Sequence, residues 1–178
     1  MPKRVRAPIP IAMQVEVYFR HGWLCYLCKR PLVFPFALRQ LADLVAREAP
    51  SRTIAYYNLN WRRDSAPLLD ELGASVDHVE AFAKGGDHHV DNFAAVCARC
   101  NARKSDRTRE EFIAAAKPWK VKGSHGEPTA WDGLTSVFVA LASQSTRPLT
   151  TTEKAWLREL KAHFERESAG TREGSSDG

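Results

Sequence analysis

Residues 77–104 read DHVEAFAKGGDHHVDNFAAVCARCNARK, and this stretch predicts the central elements of the protein. Short apolar patterns at 74–79 and 93–96 predict two strands. Gly85 and Gly86 lie in a polar segment between them and predict a connecting loop. Residues 99–105 predict a short helix that begins directly at a pair of cysteines. The predicted order is therefore strand, loop, strand and helix.

The four cysteines form two C-x-x-C pairs, Cys25 with Cys28 and Cys97 with Cys100. This spacing lets two thiolates converge on one ion from a tight turn, and zinc takes four such ligands in a tetrahedron. A redox C-x-x-C would need no second pair, and two disulfides would need an oxidising compartment. We therefore predict a structural Zn²⁺ that is bound by all four cysteines and clamps two distant parts of the chain together.

An ordered set of acidic, imidazole, glycine, amide, thiol and amine residues runs through the central stretch: Asp77, His78, Gly85, Gly86, Asn92, Cys97, Cys100, Asn101 and Lys104. This set resembles the HNH nuclease family, and the resemblance reaches back to the first cysteine pair. It implies a ββα-metal fold, in which a two-stranded hairpin and a helix grip one divalent cation. The predicted fold class is α+β, with a small ββα-metal (HNH) core and a four-cysteine zinc site, surrounded by helices that include a C-terminal helical extension.

The resemblance also implies the roles of four site residues. Asp77 and Asn101 would hold the divalent cation, and His78 would be the general base. Asn92 would hold the loop between the strands, so a structural role is favoured for it over a catalytic one. These roles suit the chemistry, because imidazole can accept a proton from water near neutral pH and hard oxygen ligands favour Mg²⁺ or Mn²⁺. Since neighbours in a strand point to opposite faces, we place Asp77 and His78 at a strand end.

Basic residues follow the predicted site and include Arg99, Arg103, Lys104 and Arg107. Their position beside Asn101 predicts contacts with DNA phosphates, although a solvated helix face is the simpler alternative. Lys104 in particular either reaches phosphate or caps the helix end. No base-reading module is found, so no target sequence is predicted.

The predicted organisation extends outward from this centre in four segments. They are a basic arm at 1–10, a nuclease domain at 11–117 with an insertion at about 29–75, a helical extension at 118–166 packed on the core, and a disordered tail at 167–178. Residues 11–20 are ambiguous between helix and strand, and we favour a helix. Thr150 and Glu153 form a capping box that predicts the start of a C-terminal helix. The tryptophans of the extension are expected in the core, and His88 and His89 in solvent.

Composition sets the remaining limits. The 178 residues are 44% hydrophobic and 26% charged, which is typical of a globular protein and argues against overall disorder. No apolar run is long enough to span a membrane, and no secretory signal is recognised, so a cytoplasmic location is expected. There are 26 Lys and Arg against 21 Asp and Glu, a net charge of +5 that permits nucleic-acid binding without establishing it.

Together these observations predict an HNH endonuclease that hydrolyses DNA phosphodiester bonds. The predicted cofactors are a structural Zn²⁺ and a catalytic Mg²⁺ or Mn²⁺. The predicted partner is DNA, with no membrane and with a homodimer left open. The alternative is a non-catalytic zinc-containing module that binds nucleic acid.

Overall fold

The computed structural model describes residues 7–52, 67–115 and 131–173. Much of the predicted basic arm, and part of the predicted insertion, lie outside the described residues. So do the start of the helical extension and the last five residues of the chain.

A two-stranded antiparallel hairpin lies at the centre of the fold. Strand β1 (Ala74–His78) pairs with β2 (Phe93–Cys97), and the register runs from Ala74 opposite Cys97 to His78 opposite Phe93. Every residue of β2 is buried, whereas burial alternates along β1. The predicted strands are confirmed, and β1 ends at His78 as expected.

Short helices flank this hairpin on both sides in the chain. Helix α3 (Pro67–Leu72) precedes β1, and α4 (Ala98–Lys104) follows β2 without a loop. Cys97 makes this direct transition, since it is both the last residue of β2 and the N-cap of α4. Helix α4 packs on β1 and β2. The α+β class with a ββα-like core is therefore confirmed.

Further helices surround this core. Residues 11–20 form a helix, α1 (Ile11–Arg20), which packs on β2. Helix α2 (Pro35–Glu48) begins at a proline, which is favoured in the first helical turn. The others are α5 (Arg109–Ala115), α6 (Thr135–Ser143) and α7 (Thr151–Glu173).

An aromatic cluster joins the N-terminal and C-terminal helices. Phe34 lies at its centre, with its ring 4.9 Å from the ring of Trp156 and 5.2 Å from that of Phe138. Tyr18 of α1 stacks on Trp23 at 4.6 Å. These side chains belong to the same buried cluster as β2. Trp156 is thus a core residue as expected, Trp131 is half-buried and bonded to the carbonyl of Leu32, and Trp119 lies outside the described residues.

Helix α7 runs further than the sequence predicts. It continues to Glu173, whereas a disordered tail is predicted from residue 167. Phe164 packs edge-on against Phe19 of α1 and so holds α7 to α1 just before the predicted boundary. Once a helix is nucleated by such packing, polar residues extend it at little cost. The predicted boundary of the tail was therefore wrong.

The predicted capping box at the start of α7 is confirmed. The backbone N–H of Glu153 donates to Thr150 Oγ1 at 3.2 Å, and the N–H of Thr150 donates to Glu153 Oε2 at 2.9 Å. Glu153 is fully buried and also accepts hydrogen bonds from Arg147 and from Gln40 of α2. One carboxylate therefore ties α2 to the beginning of α7.

This carboxylate should make the fold sensitive to acid. Burial alone would raise the pKa of Glu153, but the hydrogen bonds from Arg147 and Thr150 outweigh burial and lower the pKa from 4.5 to about 2. A lowered folded-state pKa stabilises the protein above about pH 4.5, and this stabilisation is lost as the pH falls towards 2. We expect the free energy of unfolding to fall over this interval in wild type, and to fall less in Glu153→Gln. Denaturant unfolding at a series of pH values measures the free energy of unfolding of both proteins. An equal pH dependence in wild type and Glu153→Gln would contradict the lowered pKa of Glu153.

Candidate metal centre and catalytic face

The four cysteines converge on one point. All four Sγ atoms lie within 4.8 Å of one another, and Cys28 Sγ is 3.9 Å from Cys97 Sγ. Zinc–sulfur bonds of about 2.3 Å in a tetrahedron place the sulfurs about 3.8 Å apart. The cluster therefore has the size of a site with four sulfur ligands to zinc, and no cysteine forms a disulfide.

Each cysteine pair is held by local structure. In the first pair, the N–H of Lys29 donates to the carbonyl of Cys25 at 2.8 Å, and the N–H of Cys25 donates to the carbonyl of Arg30 at 2.9 Å. Lys29 has φ of 60°, which closes this tight turn. In the second pair, Cys97 ends β2 and Cys100 lies in the first turn of α4.

Backbone amides and charge also suit the cluster to a cation. The N–H of Cys97 points to Cys25 Sγ at 3.3 Å, and the N–H of Cys100 points to Cys97 Sγ at 3.4 Å. Such donors stabilise negative sulfur. Hydrogen bonding among the sulfurs, first with Cys25, together with burial raises the pKa of Cys100, and the charge of Cys25 adds a smaller effect in the same direction. A bound dication reverses that effect. The four cysteines are thus positioned to form a zinc site.

A second polar arrangement lies between β1 and α4. Asn101 Nδ2 donates to Ser75 Oγ at 2.9 Å, and Lys104 Nζ donates to Asp77 Oδ2 at 3.0 Å. Ser75 and Asp77 are two residues apart in a strand and share its face, while Asn101 and Lys104 are three apart and share a face of the helix. The structure therefore brings Asp77 and Asn101 to the same interface.

Lys104 lies elsewhere than the sequence predicts. Its side chain is only 3% exposed, and Nζ also donates to the backbone carbonyl of His78 at 2.9 Å. The structure thus gives Lys104 internal partners in place of the exposed position that the prediction assumed, and phosphate contact by Lys104 stays a prediction.

His78 lies on the other side of β1. It is 2% exposed, and its ring packs edge-on against Phe93 at 4.8 Å, with Phe82 at 5.7 Å. Because side chains alternate along a strand, His78 faces the buried side while Asp77 faces α4. The structure thus places the two residues at the strand end, but their side chains lie on opposite faces, so it does not bring His78 to the Asp77–Asn101 interface.

Asn92 uses both ends of its side-chain amide to shape the loop between the strands. Its Oδ1 accepts from the N–H of Glu80 at 2.8 Å, while Nδ2 donates to the carbonyls of Glu80 and Asp87. The loop passes so close to itself that a Cβ at Gly86 would lie 2.1 Å from the carbonyl oxygen of Glu80. These contacts give Asn92 a position that suits a structural role.

The two loop histidines differ from each other. His89 is exposed, and its Nδ1 lies 3.2 Å from a carboxylate oxygen of Asp91. His88 is half-buried, with its ring 5.5 Å from that of His78 and 5.0 Å from that of Phe93. The expectation of a solvated His88 was wrong. No pattern in the sequence distinguishes it from His89, because the difference arises only when the loop folds back over His78.

The predicted DNA contacts divide into two groups. Arg99 is bonded to Glu71 of α3 at 2.9 Å, and Arg30 holds the other oxygen of the same carboxylate at 3.0 Å. Arg103 and Arg107 are exposed. Of the four predicted residues, these two therefore present charge to solvent.

The central segment matches a known protein family. Residues 67–107 match the family model for HNH endonuclease, and this interval spans α3, the hairpin and α4. No curated protein and no solved structure matches the chain. The family match confirms the resemblance and indicates a nuclease or nucleic-acid-binding function.

A membrane span needs a helix that is both long and apolar. In the described ranges, no helix meets both conditions. The homodimer left open by the sequence gains no support there either, since Ile113 is the one large apolar side chain exposed in those ranges.

Proposed function

We propose that this chain, with its HNH endonuclease segment, is a metal-dependent enzyme that hydrolyses DNA phosphodiester bonds. The observation that carries the proposal is the packing of α4 on β1. This packing brings Asp77 and Asn101 to one interface, next to the four-cysteine cluster. In this account the cysteines hold a structural Zn²⁺, and Asp77 and Asn101 hold one Mg²⁺ or Mn²⁺.

The donor atoms at this interface fit a hard cation. Asp77 gives one carboxylate oxygen to Lys104, and Asn101 gives its amide nitrogen to Ser75. The second oxygen of Asp77 and the amide oxygen of Asn101 are the atoms that a cation would take, and Mg²⁺ and Mn²⁺ prefer such ligands. A cation held there would supply charge that stabilises the pentacovalent transition state and the leaving oxygen.

Lys104 is a positioning residue in this account. Its ammonium fixes one oxygen of Asp77 and the backbone carbonyl of His78, which are adjacent in the chain. The buried ammonium of Lys104 thus fixes the orientation of the Asp77 carboxylate and of the end of β1. The residue holds the site.

His78 would act as the general base. Its imidazole accepts a proton from water, the resulting hydroxide attacks phosphorus, and the bond to the 3′ oxygen breaks, with that oxygen taking up a proton from solvent. By resemblance to the family, the products carry 5′-phosphate and 3′-hydroxyl ends. Asp77 and His78 face opposite sides of β1, and Phe82 and His88 of the 79–92 loop pack against the His78 ring. This step therefore requires the strand end and the loop to rearrange, so that the ring reaches both water and the Asp77–Asn101 interface.

A non-catalytic nucleic-acid-binding module is the second candidate. The observation that favours it is the burial of His78, together with the ion pair that occupies one oxygen of Asp77. Such a module would bind DNA and keep its zinc but would leave the DNA intact.

A plasmid assay separates the two candidates. Zinc-loaded protein is incubated with supercoiled DNA in Mg²⁺, in Mn²⁺ and without added divalent cation, beside the Asp77→Ala variant. Cleavage by wild type that needs the cation, and that Asp77→Ala loses in Mg²⁺ and largely loses in Mn²⁺, supports the nuclease. If the wild-type protein binds DNA but cleaves it under none of these conditions, the result supports the non-catalytic module.

The exposed arginines should contribute to binding. We expect Arg103→Gln and Arg107→Gln each to weaken DNA binding and to reduce the salt dependence of affinity by about one unit, because each removes the charge that neutralises one phosphate. Arg158→Gln is the matched control, because Arg158 is exposed on α7 and bonded to Glu159. Fluorescence anisotropy of labelled DNA over a salt series measures the affinity and its salt dependence. If neither changes in the variants, both arginines belong to a solvated face that does not contact DNA.

A further inference from the structure

Two cations meet at one aromatic ring on the first cysteine pair. Lys29 Nζ lies 5.5 Å from the centroid of the Tyr26 ring, and Arg109 Cζ lies 5.3 Å from it. Tyr26 lies between Cys25 and Cys28, while Arg109 is the first residue of α5. Segments far apart in the sequence therefore bring two positive charges to the same ring.

Little negative charge opposes this pair of cations. Within the described ranges Lys29 has no carboxylate within ion-pair distance, and Arg109 reaches only Glu110, at 3.9 Å. The Glu110 side chain is 78% exposed, so this contact is weak. The ring attracts both cations by cation–π interaction, which stabilises them but does not neutralise their charge. The positive charge of Lys29 and Arg109 is therefore only weakly compensated by carboxylates of the described residues.

The turn of the first cysteine pair leaves the side chain of Lys29 in solvent. Its φ of 60° lies in the left-handed region, where glycine is favoured and other residues are strained by about 1–2 kcal/mol. Lysine nevertheless occupies the position, and its side chain is exposed.

We propose that Tyr26, Lys29 and Arg109 form a phosphate-binding surface that holds the backbone of the DNA beside the zinc centre. The proposal rests on the proposed function for its choice of DNA as the polyanion. Lys29 and Arg109 neutralise phosphates, and Tyr26 holds both cations in place between them. The N–H of Tyr26 donates to the carbonyl of Ala95 at 2.8 Å, which fixes this surface to β2.

The zinc site makes the surface conditional on metal. Tyr26 is carried by the first cysteine pair, whereas Arg109 follows the second pair through α4. The convergence of the four cysteines holds the two segments together. Zinc would therefore contribute to DNA affinity as well as to folding.

The test is DNA affinity of the zinc-loaded full chain, without added Mg²⁺ or Mn²⁺, over a series of salt concentrations. A fluorescent DNA duplex is the probe. We expect Lys29→Gln and Arg109→Gln each to reduce the salt slope by about one unit, and the double variant by about two. Arg158→Gln should match wild type. A double variant that binds zinc and keeps the wild-type slope and affinity would overturn the proposal.

Lys29→Gly separates the charge of the side chain from its structural effect. Glycine relieves the left-handed backbone, so this variant should be at least as stable as wild type and should still bind zinc. We expect it to bind DNA several-fold more weakly all the same. Affinity equal to wild type in a stable Lys29→Gly protein would contradict a phosphate contact, even if the glutamine variants failed to fold.

Two further outcomes separate this proposal from the proposed catalysis. Wild type that cleaves DNA while all of these variants bind normally would overturn the surface alone. Wild type that binds DNA through these residues but does not cleave it would overturn the catalysis alone. Poly-glutamate is the second probe, and binding of this polymer in place of DNA would assign the surface to an acidic protein and overturn the proposal.

Discussion

Cys97→Ser should lose zinc and should not fold at ordinary temperature. Cys97 supplies one of the four sulfurs, ends β2 and caps α4, so its replacement releases the hairpin from the first cysteine pair. Structural zinc contributes about 10–16 kcal/mol to the folding of small zinc modules. The net stability of a domain is only about 5–15 kcal/mol. Metal analysis and thermal unfolding followed by circular dichroism measure the two effects.

Tyr26→Phe is the matched control for Cys97→Ser. Position 26 lies between two of the cysteines, and the substitution keeps the aromatic ring and all four thiols. It should bind zinc and unfold as wild type does. A folded Cys97→Ser protein with wild-type stability would contradict a structural zinc site, as would folded wild type that holds no zinc.

Replacing His78 should remove cleavage and leave DNA binding intact. A general base acts on the attacking water, so its removal raises the barrier to reaction and not the free energy of DNA binding. Such a base contributes about 10²–10⁴-fold to the rate. His78→Asn is preferred to His78→Ala, because removing the whole buried ring would leave a larger cavity beside Phe93. Single-turnover cleavage and anisotropy binding measure the two quantities.

His89→Asn is the control for His78→Asn. It removes an imidazole from the same region of the chain, but the ring of His89 is exposed and lies against Asp91 of its own loop. It should cleave at close to the wild-type rate. Equal reductions in both variants would indicate a general effect on the loop, and would remove the support for His78 as the base.

Local sequence patterns predict the elements of the site well. The strands, α4 and the capping box at Thr150 all follow from residues within a few positions of one another. The cysteine cluster was also predictable despite its distance in sequence, because four thiols in two C-x-x-C pairs have few other uses.

Long-range partners could not be predicted in the same way. Lys104 reads as one more basic residue in a cluster, and its burial follows from Asp77, which lies 27 residues away in the chain. The charge of Arg99 is paired by Glu71, 28 residues away in the chain. Helical periodicity places Lys104 on the face of Asn101, but only the packing of α4 on β1 shows that this face is covered.

Single-turnover cleavage of one DNA substrate over a titration of Mn²⁺ distinguishes the role of His78 from that of Asp77. Wild type, Asp77→Ala and His78→Asn are compared, all loaded with zinc and all shown to bind DNA. We predict that wild type cleaves, that excess Mn²⁺ restores part of the rate of Asp77→Ala, and that no concentration restores His78→Asn. Cleavage by His78→Asn at the wild-type rate would contradict the account.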